Sequence, residues 1–505
     1  MAIPKLEKDK ARGKIDWAVV GILVLAASLR FFLLDLRPTH HDEGIVGWFA
    51  DQITANGFYQ YDPRNYHGPL TYYIVFLFQA LFGRNLWVLR IPTVLFNLLS
   101  IYWIFLFKRY FGQTTCLIAA LAMALSPAYL YFARYISLEL HLVFFTILTF
   151  WGIIGLWDEG TRKYLWAVGL GITGMILTKE TYIISLICFI LAWICLILWE
   201  KVSPSKQNKK AEQLWNSKDL YLVITSCTLL IIFFYSGTFF SMKGVLGLLE
   251  TFKIWFTTGT QQGGHEKPFF YWVNLFYRYE YLALVGFIGC LFYVKTSSKW
   301  IRYTAIYGLG ILLVYSIIPY KTPWCIVNLL WPFYFVFGDI VNQLLKTKWQ
   351  LGIQILCVLL FLISGLLTCV LNFIDHSNPR MPYVYVQTFP DIKKLTDPIF
   401  KLVKNNPDGY NLTGNVLRQD EWPLPWILGE FTMIGYYGLN IKPIKYDADF
   451  LFVETKRIDE VEKNLQNQYF TDIFTLRDAQ EPSKLYLKYE RFKDIFPGRK
   501  PEFIK

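Results

Sequence analysis

The chain has 505 residues, of which 54% are hydrophobic, 18% aromatic and only 17% charged, and its mean hydropathy is +0.33. This composition is too apolar for a soluble protein of that length and predicts a polytopic membrane protein. The net charge of +12 does not indicate nucleic-acid binding, because the basic residues lie mainly in short clusters between apolar runs and form no continuous phosphate-binding face.

The apolar runs, taken in chain order, predict about eleven membrane-spanning helices, because a helix needs about twenty residues to cross a bilayer. We place these spans near residues 16–35, 90–107, 114–133, 140–157, 164–178, 182–199, 220–237, 280–295, 302–318, 324–344 and 351–372. One further apolar piece, TYYIVFLFQALF at 71–82, is short for a crossing. It is predicted to lie as an amphipathic helix in the membrane interface.

The distribution of basic residues predicts the orientation. If the basic segment at residues 5–14 lies in the cytoplasm, the basic loops at 108–113, 158–163, 200–218, 295–302 and 346–350 all lie on that side, as the positive-inside rule expects. We therefore expect a multi-pass protein of the inner or plasma membrane with a cytoplasmic N-terminus. The odd span count places the residues after 373 on the outer side.

The C-terminal part has a different pattern. Alternating apolar residues predict strands at 383–388, 448–453 and 484–490, and a polar stretch at 455–468 has helical composition. We therefore divide the chain into a transmembrane domain at 1–374, with a first outer loop at 36–89, and an extracytoplasmic α/β domain at 375–505.

This topology brings polar segments from distant parts of the sequence to the outer side. They are HHDEG (40–44), NYHGP (65–69), ARYISLELH (133–141), LTKET (177–181), GGHEKPFF (263–270) and IPYKTPW (318–324). Ionisable groups at membrane depth are energetically expensive, so several that converge on one face predict a cavity.

The residue types in these segments predict transfer of a group away from a phosphate. Asp42, Glu43 and Glu139 can act as a general base for an acceptor hydroxyl or hold a divalent metal, with His265 as a further candidate ligand. Basic side chains can neutralise a departing phosphate, and the candidates are Arg134, Lys179, Lys267 and Lys321. The other predicted pocket residues are His41, His67, Glu180, Glu266 and Tyr320.

Several segments resemble a known superfamily. They are the acidic pair at 42–43, GPLTYYIVFLFQALFG, LWVLRIPTVLFNLLS, SPAYLYFARYISLE and TKE. Together they resemble the polyprenyl-phosphate-sugar-dependent glycosyltransferases of the C-type (GT-C) membrane superfamily. Within it, the chain is similar to the family 39-like clan of protein mannosyltransferases and lipid A aminoarabinose transferases. GGHEKPFFYW, IPYKTPW, NPRMPYVYVQT and WPLPWILGEF are most similar to a prokaryotic, flippase-associated branch described as Agl23-like.

The resemblance implies transfer, with inversion, of a sugar from a polyprenyl-phosphate-linked donor to an acceptor hydroxyl of a protein, lipid or glycan. It implies that Asp42 is the catalytic base or a metal-positioning carboxylate, with Glu43 beside it. Lys179 would face the donor phosphate, and Lys321 would lie in a late outer loop that closes over the pocket. Glu139 falls where relatives often have an aspartate, and the resemblance assigns no role to His265 or Glu266.

Each of these residues also has a purely structural explanation. His40 and His41 could cap a short helix, and Asp42 could be the N-cap of EGIVGWFADQI. Arg134 could pair with Glu139, and Lys179 and Lys321 could extend from span ends toward the headgroups.

Two other functional classes remain open at this point, a lipid-linked sugar flippase or transporter and a non-catalytic glycan-assembly protein. Transporters usually place their polar groups near the bilayer midplane on broken helices, whereas here these groups gather on one face.

Overall fold

The computed structural model describes residues 16–65, 67–205, 211–260, 265–292, 294, 297–405 and 407–504. The predicted basic segment 5–14, Tyr66, residues 263–264 and parts of the loops 200–218 and 295–302 lie outside these residues. Most of the chain before residue 375 is helical. The helices are α1 (Trp17–Phe31), α2 (His41–Asn56), α3 (Leu70–Phe82), α4 (Leu86–Phe105), α5 (Lys108–Phe111), α6 (Gln113–Ala124), α7 (Pro127–Ala133), α8 (Leu138–Asp158), α9 (Arg162–Thr178), α10 (Tyr182–Val202), α11 (Ser217–Tyr235), α12 (Lys243–Thr260), α13 (Tyr271–Tyr279), α14 (Tyr281–Phe292), α15 (Lys299–Ile317), α16 (Val327–Leu344) and α17 (Gln350–Cys369).

The helices confirm a polytopic membrane protein. Seven helical stretches in the described residues are long and apolar enough to cross a bilayer, and the bent pair α6–α7 brings the number to eight if it forms one span. The seven are Leu86–Phe105, Leu138–Asp158, Tyr182–Val202, Ser217–Tyr235, Lys299–Ile317, Pro323–Leu344 and Gln350–Ile374.

Each of the eleven predicted spans falls on a helix or on the α6–α7 pair, but three of the helices are short. Helices α1, α9 and α14 have 15, 17 and 12 residues. At 1.5 Å per residue, none of them reaches the roughly 30 Å thickness of a hydrocarbon core. The apolar runs extend past the helix ends, as at α1, where the chain becomes extended at Phe32. Eleven crossings and a cytoplasmic N-terminus therefore remain predictions, as does the interfacial position of α3.

The bend between α6 and α7 is held by a buried carboxylate. The two helices meet at 56°, where Pro127 begins α7 and Ser126 caps it. Glu280 accepts hydrogen bonds from the Ser126 hydroxyl (2.9 Å), the Ala128 amide (2.8 Å) and the Tyr334 hydroxyl (2.9 Å). The backbone groups freed by the break are thus bonded inside the protein, as a membrane interior requires.

A group of fully buried arginines lies behind the first loop, and we call it the arginine layer. Its members donate to backbone carbonyl groups of the turn after α1 and of α6 and α7, as Arg90 does to Leu34 at 2.6 Å and Arg37 to Tyr131 on α7 at 2.8 Å. The layer consists of Arg30, Arg37, Arg90 and Arg134. In the turn after α1, the arginines satisfy carbonyl groups outside a helix, such as those of Leu33 and Leu34.

The C-terminal part folds around a five-stranded sheet. Its strands are β1 (Gly414–Leu417), β2 (Ile434–Tyr436), β3 (Phe450–Glu454), β4 (Tyr469–Phe474) and β5 (Ser483–Lys488), in the order β2-β1-β3-β5-β4. Strand β1 pairs in parallel with β2 and β3, and β5 pairs antiparallel with β3 and β4. The helices are α18 (Lys393–Asn405), α19 (Leu424–Ile427), α20 (Ile458–Asn464) and α21 (Tyr489–Phe492).

These elements confirm the α/β class and correct one predicted strand. The predictions at 448–453 and 484–490 correspond to β3 and β5, and α20 lies within the predicted helical stretch. Residues 383–388 are wrong as a strand, because among them only Thr388 makes a bridge, with Arg477. Their apolar side chains face the helical bundle instead, where Tyr383 is buried against Phe132 and Tyr279.

The C-terminal part packs directly on helix α2. A Cβ atom added at Gly44 would lie 2.6 Å from Pro423, and one added at Gly47 would lie 2.5 Å from the Trp426 indole. Arg84 also donates a hydrogen bond to the Trp426 carbonyl group and forms a 3.0 Å ion pair with Asp51 on α2. This close contact positions the C-terminal part against the start of α2.

Candidate functional site

A cavity of about 530 Å³ lies at the end of the helical bundle where the start of α2, the ends of α9 and α15 and the C-terminal part meet. We call it the central cavity. Its lining residues are His41, Asp42, Ile45, Val46, Arg64, Asn65, His67, Tyr72, Tyr135, Ile136, Ser137, Leu138, Glu139, Lys179, Glu180, Thr181, Ile184, Trp255, His265, Tyr315, Ile318, Tyr320, Thr322, Trp324, Cys325, Val386, Asp420 and Arg477.

The start of α2 places Asp42 at the wall of this cavity. The N-cap is His40, whose Nδ1 accepts a hydrogen bond from the Asp42 amide at 3.1 Å. The alternative in which Asp42 is the N-cap is therefore wrong. The backbone N–H of His40 donates to Glu43 at 2.8 Å, which completes a capping box. Burial lowers the pKa of His40, so its other ring nitrogen, 2.9 Å from the Tyr385 carbonyl group, acts as the donor of a neutral ring.

Asp42 is the carboxylate best suited to act as a base. Its side chain is 36% exposed, and its Oδ1 lies 2.7 Å from Nδ1 of His41. Burial raises the pKa of Asp42, but the hydrogen bond from His41 and the electrostatic influence of the neighbouring histidines lower it more, so its pKa is below the usual range. Asp42 is therefore an ionised proton acceptor at neutral pH.

Two further charged pairs line the cavity. Lys179, which follows the last residue of α9, forms a buried ion pair with Glu139 near the start of α8. Burial opposes the charged form of Lys179, yet Glu139 and Glu180 raise its pKa well above the ordinary value. Glu180 lies 2.9 Å from Nδ1 of His67. Burial raises the pKa of Glu180, whereas His67 and Lys179 lower it, and its net shift is downward. Lys179 is therefore a charged group in the cavity wall, and the carboxylates of Glu139 and Glu180 stabilise its charge.

The structure does not place Glu43 or Arg134 in the cavity. Glu43 is fully buried on the other side of α2, where both of its oxygen atoms lie 2.7 Å from the guanidinium of Arg90. Arg134 belongs to the arginine layer and donates to the carbonyl groups of Phe32 and Leu33. A helix turns successive residues by about 100°, so the neighbour of a cavity-lining residue points elsewhere.

Lys267, Lys321 and Glu266 also lie outside the lining of the cavity. Residues 265–267 pair with 319–321, and a bridge joins Glu266 to Tyr320. The ammonium group of Lys321 donates to the carbonyl groups of Lys267 (3.1 Å) and Ile318 (2.5 Å), so it holds this loop pair together. His265 and Tyr320 do reach the cavity from the same pair.

Several cavity residues were not predicted. Arg64 lies next to a predicted segment, whereas Trp255 lies on helix α12, which was not predicted. Asp420 and Arg477 come from the C-terminal part, and form an ion pair with each other. No local sequence signal connects residues 420 and 477 with Asp42, because their proximity depends on how the two parts of the chain dock.

The predicted metal ligands do not come together. Among the residues that the structure describes, no group of three or more His, Cys, Asp or Glu side chains could hold a metal ion. Glu43 pairs with Arg90, Glu139 pairs with Lys179, and the ring of His265 contacts the Tyr385 hydroxyl. A divalent cation would have to displace a buried cation from Glu43 and from Glu139, which leaves Asp42 and His265 without a third ligand among the described residues, so the four residues do not fit as a metal site.

A family model matches residues 66–231 and is described as dolichyl-phosphate-mannose-protein mannosyltransferase. This region contains His67, Glu139, Lys179 and Glu180. No curated protein matches the chain by sequence.

Solved structures share the fold across nearly the whole chain. ArnT from Cupriavidus metallidurans, solved in the apo state and bound to undecaprenyl phosphate, is 13% identical with a TM-score of 0.62, and the match covers 93% of this chain and 97% of ArnT. The Archaeoglobus fulgidus oligosaccharyltransferase is 11% identical with a TM-score of 0.50, over 94% of this chain and 76% of that protein. Mycobacterial arabinofuranosyltransferase AftD is 11% identical with a TM-score of 0.50, over 94% of this chain and 39% of AftD. These matches show that the chain shares the fold of these transferases, which is the fold that the resemblance implies, whereas the flippase-associated branch remains a prediction.

Proposed function

We propose that this chain, which has the fold of the C-type membrane glycosyltransferases, transfers a sugar from a polyprenyl-phosphate-linked donor to a hydroxyl group of a protein, lipid or glycan. The reaction takes place at the outer face of the membrane and inverts the anomeric centre. One observation carries the proposal: an ionised carboxylate, Asp42, and a charged lysine, Lys179, line the same cavity from different parts of the bundle.

Asp42 is the general base. Its carboxylate is accessible from the cavity and is held by His41, so it can accept the proton of an acceptor hydroxyl as that oxygen attacks the anomeric carbon. The new bond forms on the face opposite the lipid phosphate, and the bond to the phosphate oxygen breaks with its electron pair. The products are a glycosylated acceptor and a polyprenyl phosphate.

Lys179 stabilises the departing phosphate. Its ammonium is kept charged by Glu139 and Glu180, and it lies at the end of α9, where the headgroup of a lipid donor meets the protein. Arg64 lines the same cavity and is exposed enough to meet the donor as it enters. The undecaprenyl phosphate bound in the similar ArnT structure supports a donor of this class.

The test uses purified full-length protein in proteoliposomes with a panel of radiolabelled undecaprenyl-phosphate sugars. Membranes from cells that lack the protein supply the acceptor. We expect label to move into the acceptor fraction with one undecaprenyl phosphate released per sugar transferred. Asp42→Asn should lower this rate by about 10²- to 10⁴-fold, the usual contribution of a general base. Asp391→Asn removes an exposed carboxylate from the C-terminal part and should leave the rate unchanged.

Equal transfer by the wild type and Asp42→Asn would overturn the assignment of the base. The flippase alternative makes a different prediction in the same vesicles, because it requires lipid-linked sugar to cross the bilayer without any acceptor. Acceptor-independent crossing with no transfer of label would replace the proposed enzyme by a transporter.

A further inference from the structure

A line of polar contacts joins the proposed base to the C-terminal part. His41 lies between two carboxylates, with Nδ1 2.7 Å from Asp42 and Nε2 3.7 Å from Asp420. On its other oxygen, Asp420 forms an ion pair with Arg477. Asp42 and His41 belong to α2, whereas Asp420 and Arg477 lie on two separate loops of the C-terminal part.

The loop that carries Arg477 is fixed by backbone contacts with the segment that connects the two parts of the chain. The amide of Phe389 donates to the Leu476 carbonyl group at 2.8 Å, and Thr388 forms a bridge with Arg477. The side chain of Gln387, in the same connecting segment, donates to the Pro38 carbonyl group at 3.0 Å, just before α2. Arg477 is therefore held at a set distance from the start of α2.

Burial shows that Arg477 is held in this position. Its side chain is only 6% exposed, and its Nη1 atom is buried without a hydrogen-bond partner in the described part of the chain. A buried guanidinium with an unused N–H group is energetically unfavourable, so the ion pair with Asp420 and the backbone bridge have to hold it there. Arg477 also offsets the repulsion between Asp420 and Asp42.

We propose that Asp420 of the C-terminal part is a positioning residue for the base Asp42, acting through His41. An imidazole ring can turn about its last side-chain bond, and a ring that is held on one nitrogen only can turn its Nδ1–H group away from Asp42. When both ring nitrogens carry a hydrogen atom, a carboxylate facing Nε2 favours the orientation in which Nδ1–H donates to Asp42. The C-terminal part therefore completes the active site, beyond any role in covering the cavity or selecting the acceptor.

This inference rests on the proposed function for its kinetic consequence, but the position of the His41 ring can be observed without any activity. The chain has six histidines, so selective ¹⁵N-histidine labelling of the full-length protein in detergent gives few side-chain signals. The signals of His41 are those lost in His41→Gln. We expect its Nε2 signal to move in Asp420→Asn by more than any signal of the other histidines, and to stay in place in Glu421→Gln.

Glu421→Gln is the matched control because the next carboxylate along the same loop makes no side-chain hydrogen bond or ion pair within the described residues. A spectrum of Asp420→Asn in which the His41 signals stay at their wild-type positions would overturn the inference, whether or not the protein transfers sugar. Asp420→Asn also removes the counter-ion of the buried Arg477, so its melting temperature should fall below that of Glu421→Gln, and the spectra are compared at a temperature where both variants are folded.

The kinetic readout separates positioning from a structural role. In the transfer assay, Asp420→Asn should lower kcat by about a hundredfold, the effect of a small misplacement of a catalytic group, with KM for the donor unchanged. Asp420→Glu keeps the charge and should recover part of this loss. Equal kcat values for the wild type, Asp420→Asn and Glu421→Gln would show that the C-terminal part does not position the base.

A second variant, on α2, tests whether the docking of the C-terminal part positions His41. Gly47 lies on α2 under the Trp426 indole, and a methyl group there would lie 2.5 Å from that ring. Gly47→Ala should therefore shift the C-terminal part away from α2, move the His41 Nε2 signal and lower kcat, although Asp42, His41 and Asp420 are all present. An unchanged His41 signal in a Gly47→Ala protein that has wild-type kcat would count against the inference.

Discussion

The central cavity and the arginine layer lie on opposite sides of helix α2, and each receives one of two adjacent carboxylates. In the cavity, the Asp42 side chain is 36% exposed and lies beside a histidine. In the arginine layer, the Glu43 side chain is 0% exposed and forms a bidentate ion pair with Arg90. Both residues are acidic and both were predicted as catalytic. Only the rotation of the helix distinguishes a side chain that can meet a substrate from one that cannot.

The predicted phosphate-binding residues likewise differ in whether they line the cavity. Lys179 lies in the cavity wall, whereas Arg134 and Lys321 donate to backbone carbonyl groups. At membrane depth, carbonyl groups outside helices need donors as much as a phosphate does. Charged residues at the ends of spans therefore either line a cavity or satisfy backbone carbonyl groups, and the partners of each side chain distinguish the two cases.

The largest expected effect concerns Glu43 and the stability of the fold. Glu43→Gln leaves the guanidinium of Arg90 buried without its counter-ion, which should lower the free energy of unfolding by about 3–5 kcal/mol. The measurement is thermal unfolding of the detergent-solubilised protein followed by tryptophan fluorescence. Asp42→Asn is the matched control one residue away, and its melting temperature should stay near that of the wild type. Equal melting temperatures for Glu43→Gln and Asp42→Asn would contradict the difference in burial and pairing between the two carboxylates.

The sequence predicted the membrane class, the helical positions and the α/β class of the C-terminal part, because hydrophobic runs and alternation report local burial directly. The polar segments that the sequence placed on one side of the membrane contribute Asp42, Glu139, Lys179 and His265 to the lining of one cavity. Prediction from the sequence failed where the outcome depended on packing. Glu43 and Arg134 turn away from the cavity, and Asp420 and Arg477 enter it through docking of two distant parts of the chain.

The next effect tests Lys179 as the phosphate-binding cation of the cavity. Lys179→Met should lower kcat/KM for the polyprenyl-phosphate sugar by about 10²- to 10³-fold, because it removes a positive charge aimed at the leaving phosphate. Binding of undecaprenyl phosphate to the purified protein should weaken in parallel. Lys267→Met is the matched control, because that lysine does not line the cavity. Equal losses in the two variants would contradict the distinction between the two sites.

A smaller effect concerns the acid side of the pH profile. The hydrogen bond from His41 lowers the pKa of Asp42, so removing it in His41→Gln should raise the pKa of Asp42. The base has to be ionised, so activity should be lost at a higher pH as the solution is made acidic, with the midpoint moved upward by roughly one pH unit. The measurement is the pH dependence of kcat/KM for both proteins. A midpoint moved downward would show that His41 does not stabilise the ionised form of Asp42.

The smallest effect on activity is expected at Lys321, which the sequence placed at the donor phosphate and the structure places in a loop contact. Its ammonium group bonds to the carbonyl groups of Lys267 and Ile318, so Lys321→Met should lower the stability of this loop pair by about 1–3 kcal/mol. The variant should keep kcat/KM within about threefold of the wild type, a difference of less than 1 kcal/mol in the barrier. The transfer assay and a melting curve on the same preparation separate the two effects. A decrease in kcat/KM as large as that of Lys179→Met, with an unchanged melting temperature, would show that Lys321 binds the donor phosphate and does not only hold the loop pair.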